Sequence, residues 1–513
     1  MEIELKLLLD PVDVNRFRRH PLLKKHALDK PQSRQLNSIY FDTPELYLKQ
    51  NHTALRIRQV GRRLIQTCKS GGRVAAGLHQ RPEWESEVSG AKPDLPALLG
   101  LIEAGSAVAR LMSAPALAER LQPIFTTQFR RTIWLLRLPS GAEIELALDQ
   151  GEVIHGDKTI PISEIELELK SGDSASLFDV ALELQNSLPL RAANVSKAER
   201  GYGLHSPQTP EAVKALPLSL SPALTLEQGF QVLMHNCLAQ IQGNEDGVMH
   251  GSDPEHLHQM RVGLRRLRAT LSLFKKFIQA PPEIAVQLRW LAGVLGPARD
   301  WEVLAASTLN DAARRRPHEP QLEHLRQHTA GVAGKHRHAA ANALASRAYA
   351  RLLLSLGSWL EGRRWRQQQG AEQIAALSMP LKKFARSKLL KLQKKLLERA
   401  KGIKRQGPAK RHRLRIAAKK VRYAAEFFES YFPFKRMRPY VQALSELQDL
   451  LGVSNDRNVA GSLLQQIAEQ RPELEPHCDL ALSLLDEGAR LRTSKIRRIW
   501  RKFAELAPPA RHA

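Results

Sequence analysis

The sequence predicts an α+β multidomain protein, with a closed antiparallel β-barrel in its N-terminal part and an all-helical bundle in its C-terminal part. Charged and apolar residues alternate up to about residue 205, which is the period of β-strands. From Thr225 onward, Leu, Ala, Lys and Arg recur at three- and four-residue spacings, which is the period of helices. Four prolines fall between these parts, so residues 206–223 are predicted to form a linker.

The first predicted strand has an unusual polar face. Glu2, Glu4 and Lys6 alternate with three aliphatic residues, so two carboxylates and an ammonium share one side. Carboxylates bind hard divalent cations and ammonium groups bind phosphate oxygens, so this face suits a metal-bound polyanion. For one such strand taken alone, a solvated edge strand is the favoured interpretation.

The same alternation recurs in later segments. Acidic positions alternate at Glu83, Glu85 and Glu87, at Glu145 and Asp149, and at Glu164, Glu166 and Glu168. Basic positions alternate at Arg56 and Arg58, Lys69 shares its parity with Thr67, and Arg131 opens a further strand. Closing these strands into a barrel places every charged face in one lumen and leaves the apolar faces outside. Helices over residues 12–25, 96–121 and 174–188 are predicted to cover them.

Charge is distributed unevenly along the 513 residues, a length that suggests two to four domains. Residues 1–210 hold 27 Lys and Arg against 25 Asp and Glu, a net charge of +2, whereas residues 211–513 hold 51 against 27, a net charge of +24. Such an excess implies a polyanionic partner, namely nucleic acid, polyphosphate or an anionic membrane. Only 5% of residues are aromatic, which disfavours nucleic acid because few stacking platforms exist for single strands.

Three cysteines lie far apart, at positions 68, 237 and 478, and have no metal-ligand spacing. They argue against a disulfide framework or a zinc site and fit a reducing compartment. A strand is predicted from residue 2, so no signal peptide is expected, and no apolar run reaches the length of a membrane span. These features predict a cytoplasmic protein.

The helical part contains an internal repeat. His258, Arg261, Arg265 and Arg268 recur 154 residues later as His412, Arg415, Lys419 and Arg422. Each set lies within one face of a helix. A second repeat relates Leu295–Asp300 to Leu451–Asp456, and its glycines, Gly296 and Gly452, are expected to end one helix before the next begins. Two similar halves, 224–375 and 376–513, are therefore predicted to pack with their basic helices around a shared anion-binding groove.

These motifs resemble two known families. Residues 1–205 resemble the CYTH, or triphosphate tunnel metalloenzyme, family. The likeness is carried by the Glu2-Glu4-Lys6 signature, Tyr40-Phe41-Asp42-Thr43, Leu55-Arg56-Ile57-Arg58, Thr67-Cys68-Lys69 and the segment from Ser196 to Tyr202. Residues 224–513 resemble the CHAD family of helical domains through the duplicated basic helices. The runs at 77–83 and 147–153 are similar to those of bacterial two-domain inorganic triphosphatases.

The first resemblance implies an eight-stranded antiparallel tunnel that hydrolyses a linear triphosphate with Mg²⁺ or Mn²⁺. The implied metal ligands are Glu2, Glu4, Asp149, Glu164 and Glu166, with Glu168 as an alternative of the same parity. The implied phosphate ligands are Lys6, Arg56, Arg58, Lys69, Arg131, Lys197 and Arg200. Lys6 is also expected to act in catalysis, and Glu4, Glu83 or Glu85 to orient or deprotonate the attacking water.

The second resemblance implies that the helical part binds inorganic polyphosphate and associates with polyphosphate granules. The implied contacts are His258, Arg261, Arg265, Arg268, His412, Arg415, Lys419 and Arg422. Two other functions stay open at the level of sequence. The same tunnel could hydrolyse thiamine triphosphate or cyclise a nucleoside triphosphate, or the whole chain could bind polyphosphate or nucleic acid without catalysis.

Overall fold

The computed structural model describes residues 1–400, 408–490, 493–506 and 508–509. The chain forms two compact units. The first contains residues 1–210 together with 346–364, and the second contains residues 211–345 and the chain from 365 onward.

Antiparallel strands form the centre of the first unit. They are β1 (Glu2–Leu8), β2 (Gln32–Asp42), β3 (Thr53–Val60), β4 (Arg63–Ser70), β5 (Arg73–Ala75), β6 (Leu78–Arg81), β7 (Glu83–Val88), β8 (Gln122–Arg137), β9 (Glu143–His155), β10 (Lys158–Ser171) and β11 (Arg191–Ala192). Their order is β5-β6-β1-β10-β9-β8-β2-β3-β4-β7, and β11 also pairs with β1. All pairs of described strands are antiparallel, and short loops join β3 to β4, β5 to β6, β8 to β9 and β9 to β10.

Pro82 joins the two ends of this sheet. Strand β6 pairs with β1 and strand β7 pairs with β4, while only Pro82 separates β6 from β7 along the chain. Proline has no amide hydrogen, so it interrupts the ladder without ending the extended chain. With β6 and β7 taken as one interrupted strand, eight strands follow one another around a lumen, as expected for the tunnel.

Helices cover the apolar side of the sheet. Those of residues 1–210 are α1 (Val14–Arg18), α2 (Pro21–His26), α3 (Tyr47–Gln50), α4 (Leu95–Leu99), α5 (Ala107–Met112), α6 (Leu117–Arg120), α7 (Ala175–Gln185) and α8 (Lys197–His205). Helices form within all three predicted covering segments. For example, the ring of Phe17 on α1 meets Trp134 on β8 edge to face at 5.7 Å.

The remainder of the chain is helical, as predicted. Its helices are α9 (Leu226–Gln242), α10 (Glu245–Met249), α11 (Pro254–Phe274), α12 (Pro282–Val303), α13 (Leu309–Arg315), α14 (Pro320–Ala345), α15 (Arg347–Glu361), α16 (Ala371–Leu377), α17 (Leu381–Ala400), α18 (Pro408–Phe427), α19 (Phe434–Gln470), α20 (Glu475–Arg490) and α21 (Thr493–Glu505). No described helix is long and apolar enough to cross a membrane.

Helix α15 belongs to the first unit although its sequence lies within the helical part. It packs on α7, where a Cβ added to Gly357 would lie 2.2 Å from Cε1 of Phe178. Glycine therefore permits the close approach of the two helices. Ser358 Oγ donates a hydrogen bond of 3.2 Å to Asp179 Oδ1, and the Arg364 guanidinium pairs with the same carboxylate.

The prediction that Gly296 and Gly452 end helices is wrong. Gly296 lies inside α12 and Gly452 inside α19, and both helices continue past these positions. At Gly296 the reason is a close approach rather than a helix end. A Cβ there would lie 3.2 Å from Nη1 of Arg261, and this nitrogen donates a 2.8 Å hydrogen bond to the Leu295 carbonyl.

The proline-rich segment has neither helix nor strand from 207 to 221. Its backbone is nevertheless anchored within the second unit. The amide of Val213 donates to Asn244 Oδ1 at 3.0 Å, and the amide of Leu220 donates to Ser430 Oγ at 3.1 Å. The three cysteines are free and buried.

Candidate functional site

The lumen of the first unit holds a cavity of about 300 Å³ whose lining is strongly charged. Seven of the acidic residues on the predicted charged faces line it, namely Glu2, Glu4, Glu83, Glu85, Glu145, Glu166 and Glu168. Six predicted cations line it as well, namely Lys6, Arg56, Arg58, Lys69, Arg131 and Lys197. Arg130 points the other way and is exposed, as strand parity requires.

Three buried carboxylates converge beside this cavity, and of the three only Glu166 lines it. Oxygens of Asp149, Glu164 and Glu166 lie within 4.8 Å of one another. Strand register brings them together, since Glu164 lies opposite Asp149 across β9 and β10, and Glu166 lies opposite Lys6 across β1 and β10. We refer to these three residues as the carboxylate cluster.

Lys197 reaches the centre of the carboxylate cluster from α8. A capping box between Ser196 and Glu199 begins this helix, so that Lys197 is its first residue. Its ammonium donates to Asp149 Oδ2 at 2.7 Å and to Glu166 Oε1 at 3.0 Å, and it also contacts Glu164. Burial alone would lower the pKa of Lys197, but the three carboxylates raise it above its ordinary value.

Three further cations hold the carboxylate cluster. Arg131 donates to both oxygens of Asp149, at 2.7 and 2.6 Å, and also pairs with Glu166. Lys6 donates to Glu4 at 2.8 Å and pairs with Glu166, while Arg200 pairs with Glu164. Burial opposes ionisation of Glu166, yet the cations around it hold its pKa well below the ordinary value.

A second group of charges lies on β1, β3, β4 and β7. The Lys69 ammonium is 2.5 Å from Glu2 and 3.3 Å from Glu83, and Arg56 lies 3.8 Å from Glu83 and 4.0 Å from Glu85. Burial and the nearby Glu4 raise the pKa of Glu2. Glu2 thus pairs with Lys69 and is not part of the carboxylate cluster, whereas Glu4 connects to the cluster through Lys6.

Arg58 occupies a more cationic environment than the other lumen arginines. Its Nε donates to Ser38 Oγ at 3.2 Å. Burial, together with Arg56 and Arg131, lowers the pKa of Arg58 to about 9. A phosphate group beside Arg58 would relieve this repulsion, because it supplies the opposite charge.

The carboxylate cluster supplies oxygen donors for a divalent metal ion, which would have to displace the Lys197 ammonium from the centre of the cluster. Carboxylate oxygens are the ligands that Mg²⁺ and Mn²⁺ prefer, and three buried carboxylates within reach of one point form a suitable donor set. Of the five predicted ligands, Asp149, Glu164 and Glu166 lie in the cluster and Glu4 lies beside it. Glu168, the alternative, instead contacts Lys170 at 2.8 Å and is one-third exposed.

Some residues of the lumen were not predicted. Tyr40 and Arg81 line the cavity, and His79 lies buried beside Arg81. Burial, with Lys6 and Arg81 nearby, lowers the pKa of His79 to about 4, so the imidazole is neutral at physiological pH. Phe129 presents its ring to Arg58, Arg131 and Lys197 at 5.0–5.9 Å. All four lie at those alternate positions of their strands whose side chains face the lumen, and this alternation is the sequence signal that could have predicted them.

Two of the motifs that carry the family resemblance have a structural role. Buried Asp42 accepts hydrogen bonds from the amides of Leu48 at 2.8 Å and Lys49 at 2.9 Å, and so fixes α3. Tyr202 Oη donates to the same carboxylate at 2.9 Å and thereby ties α8 to β2. These residues hold the helix that delivers Lys197.

The second unit contains a separate cavity of about 390 Å³ between its two repeats. Five predicted residues line it, namely His258, Arg261, Arg265, Arg415 and Lys419. Arg268 is exposed and does not line this cavity, and neither does Arg422, which pairs with Glu426 at 3.4 Å. His412 belongs to α18, but its side chain lies outside the described residues.

The second cavity also contains one acidic residue from each repeat, Asp300 and Asp456. Asp300 lies 3.6 Å from Arg261, and burial with the repulsion from Asp456 raises its pKa. Burial and the neighbouring cations, Arg415 first among them, lower the pKa of Lys419 to about 7. The cations of this cavity thus repel one another and would be stabilised by an anion.

Comparison with protein families gives two matches along the chain. Residues 1–202 match the family model of the CYTH domain, and residues 232–465 match that of the CHAD domain.

Individual relatives support the same division. The chain is 37% identical to an inorganic triphosphatase of Haemophilus influenzae over 211 residues, which are 40% of this chain and 56% of that protein. It is 26% identical to an uncharacterized protein of Mycobacterium tuberculosis over 296 residues, 54% of this chain and 53% of that protein. The chain thus spans little more than half the length of these relatives.

A solved structure matches the helical part. The crystal structure of the CHAD domain from the plant Ricinus communis is 38% identical, with a TM-score of 0.53, and the match covers 58% of this chain and 98% of that domain. Together with the charged β tunnel and the duplicated basic helices, these matches show that the chain combines a CYTH domain with a CHAD domain.

Proposed function

We propose that the tunnel hydrolyses inorganic tripolyphosphate to pyrophosphate and phosphate with Mg²⁺ or Mn²⁺. One observation carries this proposal, namely that Glu166 of the carboxylate cluster, which is suited to a divalent ion, lines the same cavity as a set of cations suited to phosphate. The similarity of residues in the CYTH domain to the Haemophilus triphosphatase supports the same reaction class.

The cations of the lumen would bind the phosphate groups. Arg56, Arg58 and Lys69 line the cavity from β3 and β4, whereas the carboxylate cluster projects from β9 and β10. Guanidinium groups hold phosphate oxygens through paired hydrogen bonds. Lys6, Arg131 and Arg200 bind the carboxylates and carry further N–H donors for the phosphate chain. The ammonium of Lys197 has three donors, all directed to the carboxylate cluster, so Lys197 would have to release a carboxylate to bind phosphate.

The metal ion would be held by Asp149, Glu164 and Glu166, with Glu4 as a further ligand. When bound there, it would neutralise negative charge on the phosphate oxygens. Glu4, Glu83 and Glu85 are the candidates for orienting the attacking water and accepting its proton. Thr67 Oγ1 donates to Glu85 at 2.7 Å, so this carboxylate is held in place without a full ion pair.

Phosphate release tests this proposal directly. Tripolyphosphate, thiamine triphosphate and ATP are compared as substrates of the full chain with Mg²⁺, with Mn²⁺ and with chelator. We expect a metal-dependent preference for tripolyphosphate that Glu4→Gln abolishes and that Glu103→Gln, at an exposed glutamate, leaves unchanged. Equal or greater turnover of an organic triphosphate would instead favour the thiamine triphosphatase or cyclase alternative.

We further propose that the cavity of the second unit binds inorganic polyphosphate. The observation that carries this is the set of four cations from two duplicated helices around one cavity, where burial and then their mutual repulsion lower the pKa of Lys419. Arg265 and Arg268 provide a matched pair on α11, because only Arg265 lines the cavity.

Polyphosphate binding by the full chain at rising salt separates these two arginines. Arg265→Gln is expected to weaken binding about tenfold or more, and Arg268→Gln much less. Any contribution of the tunnel is common to both variants. DNA of equal charge serves as competitor, and equal competition would remove the preference for polyphosphate. A cytoplasmic location and association with polyphosphate granules remain predictions for imaging of a tagged chain.

A further inference from the structure

Strand β6 contributes two lumen residues that the proposed function does not yet use. Arg81 lies opposite Glu2 and His79 lies opposite Glu4 in the ladder between β6 and β1. Both therefore share the parity of the Glu2-Glu4-Lys6 face. Arg81 lines the cavity, and only 17% of its side chain is exposed.

The Arg81 guanidinium is incompletely paired. Its Nη2 donates to His79 Nδ1 at 3.0 Å, and the nearest carboxylate, that of Glu199, is 3.9 Å away. Its buried Nε has no hydrogen-bond partner among the described residues. Arg56 and Arg200, which we propose as phosphate ligands, have an Nε in the same state. A buried donor without an acceptor is costly, and a phosphate oxygen in the lumen would satisfy it.

His79 is fixed at both ring nitrogens. Its Nε2 lies 2.9 Å from the Ala193 carbonyl, which can only accept, so Nε2 carries the proton and Nδ1 is free to accept from Arg81. The amide of Ala193 in turn donates to the Lys6 carbonyl at 2.8 Å. His79 therefore holds the Arg81 side chain in one orientation relative to β1.

We propose that Arg81 is a further phosphate-binding residue of the tunnel and that His79 is its positioning residue. The ligand class is the linear oligophosphate, so this inference rests on the proposed function of the tunnel. Hydrogen bonds to charged groups are stronger than neutral ones, so Arg81 should contribute measurably to the binding of substrate.

Binding of tripolyphosphate to the full chain, measured by titration calorimetry in chelator, tests Arg81 without requiring turnover. Arg81→Gln is expected to weaken binding roughly 10- to 100-fold. Arg63→Gln is the control, because Arg63 is an exposed strand residue that pairs with Glu87 at 3.0 Å. Equal affinity of the two variants would overturn the role of Arg81.

Substitutions at His79 test its positioning role. His79→Gln retains one donor and one acceptor and should keep affinity within about threefold, whereas His79→Leu should weaken binding as Arg81→Gln does. If His79 acts through Arg81, the double variant should bind little worse than Arg81→Gln alone. The positioning role of His79 would be overturned if the losses of affinity in the two single variants added up in the double variant. It would also be overturned if His79→Gln and His79→Leu lost the same affinity.

The outcome is separable from that of the proposed function. If the wild-type chain is active and the Arg81→Gln variant has the same affinity and KM as Arg63→Gln, the inference about Arg81 is refuted, whereas the proposed hydrolysis is not. Inactive wild-type chain whose oligophosphate binding still depends on Arg81 would refute hydrolysis and support the inference.

Discussion

Replacing Lys197 by methionine removes the ammonium that the three members of the carboxylate cluster share. Methionine has a similar length, so the substitution mainly deletes the charge. The side chain of Lys197 is only 7% exposed and its contacts to Asp149 and Glu166 are 2.7 and 3.0 Å. We expect the strands that carry the cluster to open more easily in this variant.

The magnitude follows from the charge balance of the buried network. Four carboxylates, Glu4, Asp149, Glu164 and Glu166, are in contact with four cations, Lys6, Arg131, Lys197 and Arg200. Lys197→Met leaves one negative charge in excess. Removing one partner of a buried ion pair costs about 3–5 kcal/mol. At 1.36 kcal/mol per factor of ten, this corresponds to a roughly 200-fold to several thousand-fold increase in opening.

Hydrogen exchange of the full chain, read by mass spectrometry on peptides from β9 and β10, measures this opening within the first unit. Lys158→Met is the control, because Lys158 is an exposed residue at the start of β10. Adding Glu164→Gln to Lys197→Met restores the charge balance and should recover much of the protection. An increase below about tenfold for Lys197→Met, or faster exchange in the double variant, would refute the reasoning.

Three further predictions concern the helix α8, the metal ion and the second cavity. Gly201→Ala should destabilise the first unit by about 1–3 kcal/mol in urea unfolding, because its Cβ would lie 2.1 Å from Cε2 of Phe125, whereas Gly203→Ala has open space and should not. Similar losses in both would contradict this. Glu166→Gln should reduce metal-dependent phosphate release by roughly 100-fold or more, and a change of less than about threefold would exclude Glu166 as a ligand. The pKa of Lys419 is about 7, so this side chain loses its charge as pH rises through neutrality. The affinity for polyphosphate should therefore fall by up to roughly tenfold per pH unit above this pKa. The affinity of the Lys419→Arg variant should stay nearly constant over the same range, because arginine keeps its charge. Identical pH profiles of wild type and Lys419→Arg would refute it.

The general architecture followed from periodicity. Alternation at Glu2, Glu4 and Lys6, repeated on other strands, predicted a charged lumen with helices outside, and the structure has that arrangement. This worked because parity is a local property of an extended chain. The duplicated helices around Arg261 and Arg415 were equally visible, since a repeat is a property of sequence alone. Glycine was less informative. Gly296 was interpreted as a helix end, but it provides room for Arg261 inside α12.

Tertiary structure decided which of the same-parity residues meet. Alternation alone made Glu2, Glu164 and Glu168 equal candidates for metal ligands. In the structure, strand register places Glu164 opposite Asp149, whereas Glu2 pairs with Lys69. The packing of α15 in the first unit also depends on a through-space fit to Phe178 that no local pattern encodes.

The sequence by itself therefore determined which side chains face the lumen and that the helical part is duplicated. Only the tertiary structure decided that Asp149, Glu164 and Glu166 form one cluster and that Arg81 donates a hydrogen bond to His79. The physical reason is that a strand's two-residue period is fixed by its own backbone. Register and contacts between distant segments are instead fixed by pairing and packing across the whole fold.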